Sequence, residues 1–235
     1  MRFYGSAMPM PHIQGAFRQR LIAESWQCHK VADGVSINEA AFAEPFAVTL
    51  HAVNRAGSLL GKKVLVTGCG PIGALCILAA RAHGAQEIVA TDVMDAVLDK
   101  ARAVGADRTI NVATNGEALS AYSANKGSFD VMFEASGNER AVRSGLEVLK
   151  PRGILMQLGL GGDVSIPQNL VVSKEIDMRG TFRFHEEFAL AVSLINQRRV
   201  DVKPLLTEIF ALDDAVEAFD TAGDRSRSMK VQIAF

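Results

Sequence analysis

"VLVTGCGPIG", residues 64–73, is an apolar run that stops at a turn built on glycine. The branched residues at its start favour a strand. Gly68, Gly70 and Gly73 then follow at G-x-G-x-x-G spacing, with Pro71 and Ile72 opening a helix. That strand–turn–helix context gives an otherwise weak glycine pattern its meaning. Gly68 allows a tight turn, Gly70 lets backbone N–H groups approach a pyrophosphate, and Gly73 lets the helix pack close to the sheet. The helix start adds free N–H groups and partial positive charge for an anion.

Further along, "EIVATD" ends in Asp92, 19 residues beyond Gly73. An acid at this distance meets the ribose hydroxyls of an adenine dinucleotide and repels a 2′-phosphate, which points to NAD rather than NADP. The competing use of Asp92 is to cap a helix that begins near Asp95. "FEASG" (133–137) and "LGLGG" (158–162) close later strands on the same sheet edge. Their small residues suit an approach to the nicotinamide ribose and ring, although glycine also serves turns in general. Ser136, Leu158, Gly159 and Leu160, with Phe182 from "GTFRF", complete the candidate cofactor residues.

Short apolar runs alternate with helical patterns from Lys62 onward, which indicates β-α-β crossovers and a parallel sheet, a doubly wound α/β architecture. The strands look apolar on both faces, as a sheet covered on each side requires. The flanks differ. Residues 15–32 suggest a short extended pair and 37–57 one long helix. The end suggests a helix near 186–198, an extended segment near 205–210, a helix at 212–222 and a last strand in "MKVQIAF".

With 235 residues, 49% of them hydrophobic, the chain can bury a sizeable core. A net charge of −1 from interspersed acids and bases gives no footprint for nucleic acid or an anionic membrane. Cys28, Cys69 and Cys76 have neither disulfide-framework nor zinc-finger spacing, and the first fifteen residues contain no apolar leader core. The expectation is a cytoplasmic chain acting on a small molecule.

No complete catalytic set is visible. The histidines form no H-E-x-x-H pair, and the G-x-S-x-G elbow of an esterase is absent. "FHEEF" (184–188) reads as a helix start. Two charged residues stand out. Glu44, in the apolar stretch "AEPFAVTLHA", is costly to bury alone, although acids also favour helix N-termini. Arg183, in "GTFRF", follows the last sheet strand, where it can bind an oxygen-rich substrate or join a surface ion pair.

Together, "AEPFAVTLHAVNRAG", "GKKVLVTGCGPIG", "EIVATD", "GADRTINV", "FDVMFEASG" and "RGTFRF" stand in an order and spacing that resembles the medium-chain, zinc-dependent alcohol and polyol dehydrogenases across essentially the whole chain. The resemblance implies an NAD-binding Rossmann domain over 46–184. It makes 1–45 the remnant of a GroES-like catalytic domain and 185–235 a segment returning to it. It also implies hydride transfer from a secondary alcohol of a sugar acid or polyol to NAD, with zinc holding the substrate oxygen. Glu44 matches the family's acid at the zinc site, and Arg183 a residue touching cofactor and polyol. Such enzymes are homo-oligomers paired through the sheet edge, here near 153–182. The family's N-terminal Cys ligand, His-Glu pair and four-cysteine loop have no counterpart in this sequence. The expectation is therefore a truncated or remnant chain with impaired zinc chemistry. The rival reading is a module that binds NAD without turnover.

Overall fold

The computed structural model describes residues 3–235. The first two residues of the segment read as 1–45 lie outside the described residues. Six parallel strands form the central sheet: β1 (Lys63–Thr67), β2 (Glu87–Asp92), β3 (Arg108–Asn111), β4 (Phe129–Glu134), β5 (Leu149–Gln157) and β6 (Asp177–Gly180), in the order β3-β2-β1-β4-β5-β6. The order reverses between β1 and β4, where Val64 pairs with Val131 on one side and Ile88 on the other. A crevice opens at such a reversal, outside the carboxyl ends of the strands.

Both faces of the sheet are buried, as the unbroken apolar runs require. Val64 and Val66 point into one core with Ile88, Ala90, Val131 and Phe133, while Leu65 points into the other with Val89 and Met132. This is the period-two alternation of a strand, with apolar residues in both phases. The first face is covered by α2 (Ala43–Ala56), α3 (Pro71–Ala82), α4 (Asp95–Ala103) and α8 (Glu187–Asn196). The second is covered by α5 (Glu117–Ser120), α6 (Glu139–Val148) and α7 (Gln168–Ser173). Helices α5 and α7 were not expected from the sequence; both are short. Lys174, buried after α7, donates to the carbonyls of Leu146, Glu147 and Leu149 and so closes the C-terminal end of α6.

Two sequence expectations are corrected. The long helix over 37–57 is two helices, α1 (Ile37–Ala40) and α2. Pro45 lies in the first turn of α2; without an N–H, and with its ring against the carbonyl four residues back, it cannot continue a helix from α1. The extended pair expected at 15–32 does not form: the only regular element there is a 3₁₀ turn at Ser25–Gln27, and Phe17, Leu21, Ile22 and Trp26 are exposed. A two-stranded ribbon with no layer to pack against is marginal in water. At the other end, β7 (Leu206–Ala211) and β8 (Lys230–Ala234) pair in parallel around α9 (Ala215–Gly223), as a separate small sheet.

Helix α8 is clasped at both ends by carboxylates. Glu187 accepts from Asn54 Nδ2 and the His185 N–H and lies 3.0 Å from His51 Nδ1. Just past the other end, Arg198 donates to Glu39, which also forms a capping box with Ser36. Burial raises both carboxyl pKa values. The hydrogen bonds outweigh it, those of Ser36 and Arg198 at Glu39 and those of His185, His51 and Asn54 at Glu187, and bring each pKa from 4.5 to about 2. A lowered carboxyl pKa contributes stability above the unfolded value and loses it as pH falls toward the folded one. The melting temperature should therefore fall as pH drops from 4.5 toward 2. In the Glu39→Gln, Glu187→Gln double variant this slope should flatten; an unchanged acid slope in thermal scans would remove these groups from the account.

Candidate dinucleotide-binding site

The glycine turn is as tight as its spacing requires. Gly68 has φ +80°, and a Cβ there would lie 2.7 Å from Ser136; at Gly73 a Cβ would stand 1.8 Å from the Gly68 carbonyl oxygen. The start of α3 is therefore flush against the end of β1. Gly70 caps the helix and Pro71 occupies its first turn. Beyond Pro71, the N–H groups of Ile72 and Gly73 have no carbonyl one turn earlier to bond within the helix.

Asp92 closes β2 beside this turn and is 6% exposed. Its Oδ1 accepts from the N–H groups of Val93 and Met94 at 2.7 and 3.1 Å, and its Oδ2 from Cys69 N–H at 2.7 Å. The helix cap read as the competing use does not form, since Met94 is the N-cap of α4 and no side chain caps it; Asp92 instead braces the backbone just before α4 and faces the glycine turn. A carboxylate has about four lone-pair sites, so three bonds leave room for a ribose hydroxyl. A cleft of about 490 Å³ lies outside these strand ends, lined by Gly68, Asp92 and Ser136 among others. Leu158, Gly159, Leu160 and Phe182 line a second cleft of about 460 Å³ together with Thr181. Gly70, Pro71 and Ile72 line neither; they form the helix start. The hydroxyl of Thr181 is buried without a hydrogen-bond partner. A turn with no room for a side chain at Gly68 or Gly73, an open helix N-terminus, an acid lining the cleft and an orphaned hydroxyl together fit a dinucleotide.

Sequence reasoning passed over the group that joins the two clefts. Glu134, at the end of β4, is 0% exposed. Its Oε1 accepts from Ser136 N–H at 2.9 Å, Thr67 Oγ1 at 3.3 Å and the Ser136 hydroxyl; its Oε2 accepts from Gln157 Nε2 at 2.6 Å and Gly137 N–H at 3.0 Å. Its backbone carbonyl takes both the Leu158 and Gly159 N–H groups. One carboxylate therefore ties together the ends of β1, β4 and β5. An acid inside the apolar run "FDVMFE" was the available signal.

Glu44 and Arg183 share one neighbourhood with Lys230. Glu44 lies in the first turn of α2 and is exposed as a residue. The protein packed around its carboxyl still raises its pKa by desolvation, opposed by Lys230 and Arg183. Arg183, at φ 57°, stacks over Phe3 and Phe182, with its guanidinium carbon 4.5 and 5.3 Å from the ring centroids, and donates to Ser6 Oγ at 3.0 Å. Among the described residues it has no ion pair, so the surface-pair alternative does not hold. Nor do these residues fit a zinc ion: no three His, Cys, Asp or Glu side chains converge among the described residues, whereas a catalytic zinc takes about three protein ligands. Burial pushes the Cys69 and Cys76 thiols well above their usual pKa.

The model of the zinc-binding dehydrogenase family matches residues 71–197. The chain is 40% identical over 236 residues to the L-idonate 5-dehydrogenase (NAD(P)(+)) of Escherichia coli (strain K12), covering 100% of this chain and 68% of that protein. It is 38% identical over 210 residues to the sorbitol dehydrogenase of Bos taurus, covering 88% and 59%. The crystal structure of the E. coli L-idonate 5-dehydrogenase superposes with a TM-score of 0.95, over 100% of this chain and 67% of that one. That of the Bacillus subtilis 2R,3R-butanediol dehydrogenase, 27% identical, gives 0.81 over 88% and 60%. The chain thus spans roughly three fifths to two thirds of the length of these relatives.

Replacing Glu134 by Ala removes the acceptor of five donors, one buried and four part-buried, and unmade buried hydrogen bonds cost about 1–3 kcal/mol each before relaxation. We expect Glu134→Ala to lose about 3 kcal/mol or more in urea unfolding. A loss below about 1 kcal/mol would show that the network is dispensable.

Proposed function

The chain belongs to the zinc-binding dehydrogenase family, and from that premise we propose that it binds NAD along the carboxyl edge of the six-stranded sheet and serves the oxidation of a secondary alcohol in a sugar acid or polyol. L-idonate going to 5-ketogluconate is the leading substrate pair, on the likeness to the L-idonate 5-dehydrogenase. The observation that carries the cofactor half is the close fit of Gly68 and Gly73 where β1 meets the start of α3.

When bound, the nicotinamide supplies a hydride acceptor. The chain's own residues do the holding. The first turn of α3 takes the pyrophosphate and Asp92 the adenosine ribose. Ser136, Leu158, Gly159 and Leu160 flank the nicotinamide half, Phe182 borders it, and the orphaned Thr181 hydroxyl suits its carboxamide. Arg183 is free to pair with the carboxylate of a sugar acid. Glu44 is the residue we assign to the metal-side acid, but one carboxylate does not make a zinc site, and we derive no step through zinc. That mismatch supports a second reading, in which this chain binds NAD without turning over substrate.

We propose the division into 1–45, 46–184 and 185–235, supported by the separate β7–β8 sheet. A cytoplasmic setting is supported by three free cysteines; among the described residues no helix is long and apolar enough to cross a membrane. Among the described residues the outer edge of β6 has no partner strand, and Leu160, Val172, Met178 and Phe182 are exposed near it. An open apolar edge is a pairing surface, and we propose a homo-oligomer joined there. Sedimentation at micromolar protein should show a dimer or larger; a monomer would remove the proposal.

Calorimetry with NAD, paired with NADH formation from L-idonate plus zinc, tests the function. Binding without turnover is expected of this chain. Binding with turnover would show a hydride-transfer site built without three converging ligands, and absence of binding would overturn the cofactor reading. Gly73→Ala should weaken NAD binding by about tenfold or more, since shifting the helix start breaks charge-assisted bonds of about 1.5–3 kcal/mol each.

A further inference from the structure

We propose that His51, Arg55 and His185 form an oxyanion subsite on the second cleft, where they hold a carboxylate or an inorganic oxyanion. The inference goes beyond the proposed function, which uses none of the three, and rests on that reading only for the cofactor beside them.

His51 and Arg55 stand about one turn apart on α2, and His185 lies between β6 and α8. All three line the cleft of about 460 Å³, with Leu160 and Phe182 among its apolar walls. The imidazoles of His51 and His185 are 5.0 Å apart between centroids and inclined at 56°. Arg179 of β6 donates to the Arg55 carbonyl, which ties the end of α2 to the sheet edge. At the other side Glu187 of α8 accepts from Asn54 of α2 at 3.1 Å. The packing of α2 against β6 and α8 therefore brings the three side chains to one cleft, although 130 residues separate Arg55 from His185.

The charges here are unequally committed. Glu187, with its pKa brought to about 2, is ionised at neutral pH, so His51 Nδ1 at 3.0 Å donates to it. Asn54 and the His185 N–H donate to the same carboxylate, which is thereby turned away from a ligand. The Nε2 of His51, the ring nitrogens of His185 and the Arg55 guanidinium have no hydrogen-bond partner among the described residues. The other charges nearby do not cancel them: Arg179 and Asp177 pair with each other, and Glu186, the N-cap of α8, does not line the cleft. A metal cation would meet a free guanidinium and no free carboxylate. An oxyanion meets donors, since a guanidinium matches the planar carboxylate and a histidine ring donates from both nitrogens once it takes up a proton, between about pH 5 and 8. Thr181, whose buried hydroxyl has no partner, lines the same cleft.

In a plainer role His51 only seats Glu187 at the start of α8, while Arg55 and His185 are merely solvated. An NMR titration separates the two. The purified chain is titrated at about pH 6 and about pH 8 with gluconate, with sorbitol, a polyol that lacks the carboxylate, and with sulfate, and NAD is titrated in the same preparation. Arg55→Gln, His185→Gln and Arg199→Gln, the last an exposed arginine outside the cleft, are run alongside. Gluconate, sulfate or both should bind at least about fivefold more tightly at the lower pH, and sorbitol should not bind. Gluconate without sulfate identifies the carboxylate of a sugar acid as the occupant, and sulfate identifies a free inorganic oxyanion. Arg55→Gln and His185→Gln should each weaken the anion by about fivefold or more, with Arg199→Gln unchanged. Thermal scans should stay near those of the unaltered chain, because both side chains belong to exposed residues. Sorbitol bound as tightly as gluconate, no dependence on pH, or unchanged affinity in both cleft variants overturns the subsite. NAD binding without anion binding overturns the subsite alone, and anion binding without NAD binding overturns the dinucleotide reading alone.

Discussion

No side chain fits where α3 meets the end of β1. A Cβ at Gly73 would stand 1.8 Å from the Gly68 carbonyl oxygen, and one at Gly68 would strike Ser136 at the end of β4. This contact fixes the helix, the first strand and the fourth at the point where the strand order reverses. With α3 seated so close, its open N–H groups face the crevice rather than solvent at large. The Cys69 N–H in the same turn reaches back to Asp92 and brings the end of β2 to the same point. The site is thus a consequence of how closely backbone meets backbone, and only afterwards of particular side chains.

Two carboxylates at strand ends show how placement decides role. Each would be costly to bury unpaired. Glu134 is relieved by five donors from three strand ends, which leaves it no capacity for a ligand and makes it a brace between the two clefts. Asp92 has three donors and one side still open. Exchanging the two environments would exchange the roles, because the chemistry of the groups is the same and only the number of committed lone pairs differs.

What could be read from the sequence was what is local. The glycine spacing and the distance from Gly73 to Asp92 arise within one β-α-β unit, and each strand of the sheet within its own apolar run. Helix 37–57 misread because hydrophobic pattern ran across Pro45, whose missing N–H matters more than the pattern. The pair at 15–32 misread because alternation says nothing of whether a layer exists to cover it. Glu134 and Thr181 were missed for a different reason. Their significance lies in partners, or in the lack of them, supplied by other segments, and no spacing rule relates residue 134 to residue 67.

The two halves of the site are held by different means, and that difference bears on what each can do. The cofactor half is set by backbone donors, a close-packed turn and a saturated buried acid, all fixed before a ligand arrives, so little ordering remains to be done on binding. The substrate half rests on single side chains. Arg183 is stacked over Phe3 and Phe182 and tied to Ser6, while Glu44 has no ion pair and belongs to no group of three ligand-type side chains among the described residues. A hydride transfer needs both partners held within reach of each other, and misplacement of about 1 Å can cost about a hundredfold in rate. On the proposed reading, cofactor binding can therefore stand by itself in this chain, whereas turnover would depend on how firmly Arg183 and Glu44 are held. On this argument the proposed binding and the proposed catalysis are separable properties of the same molecule.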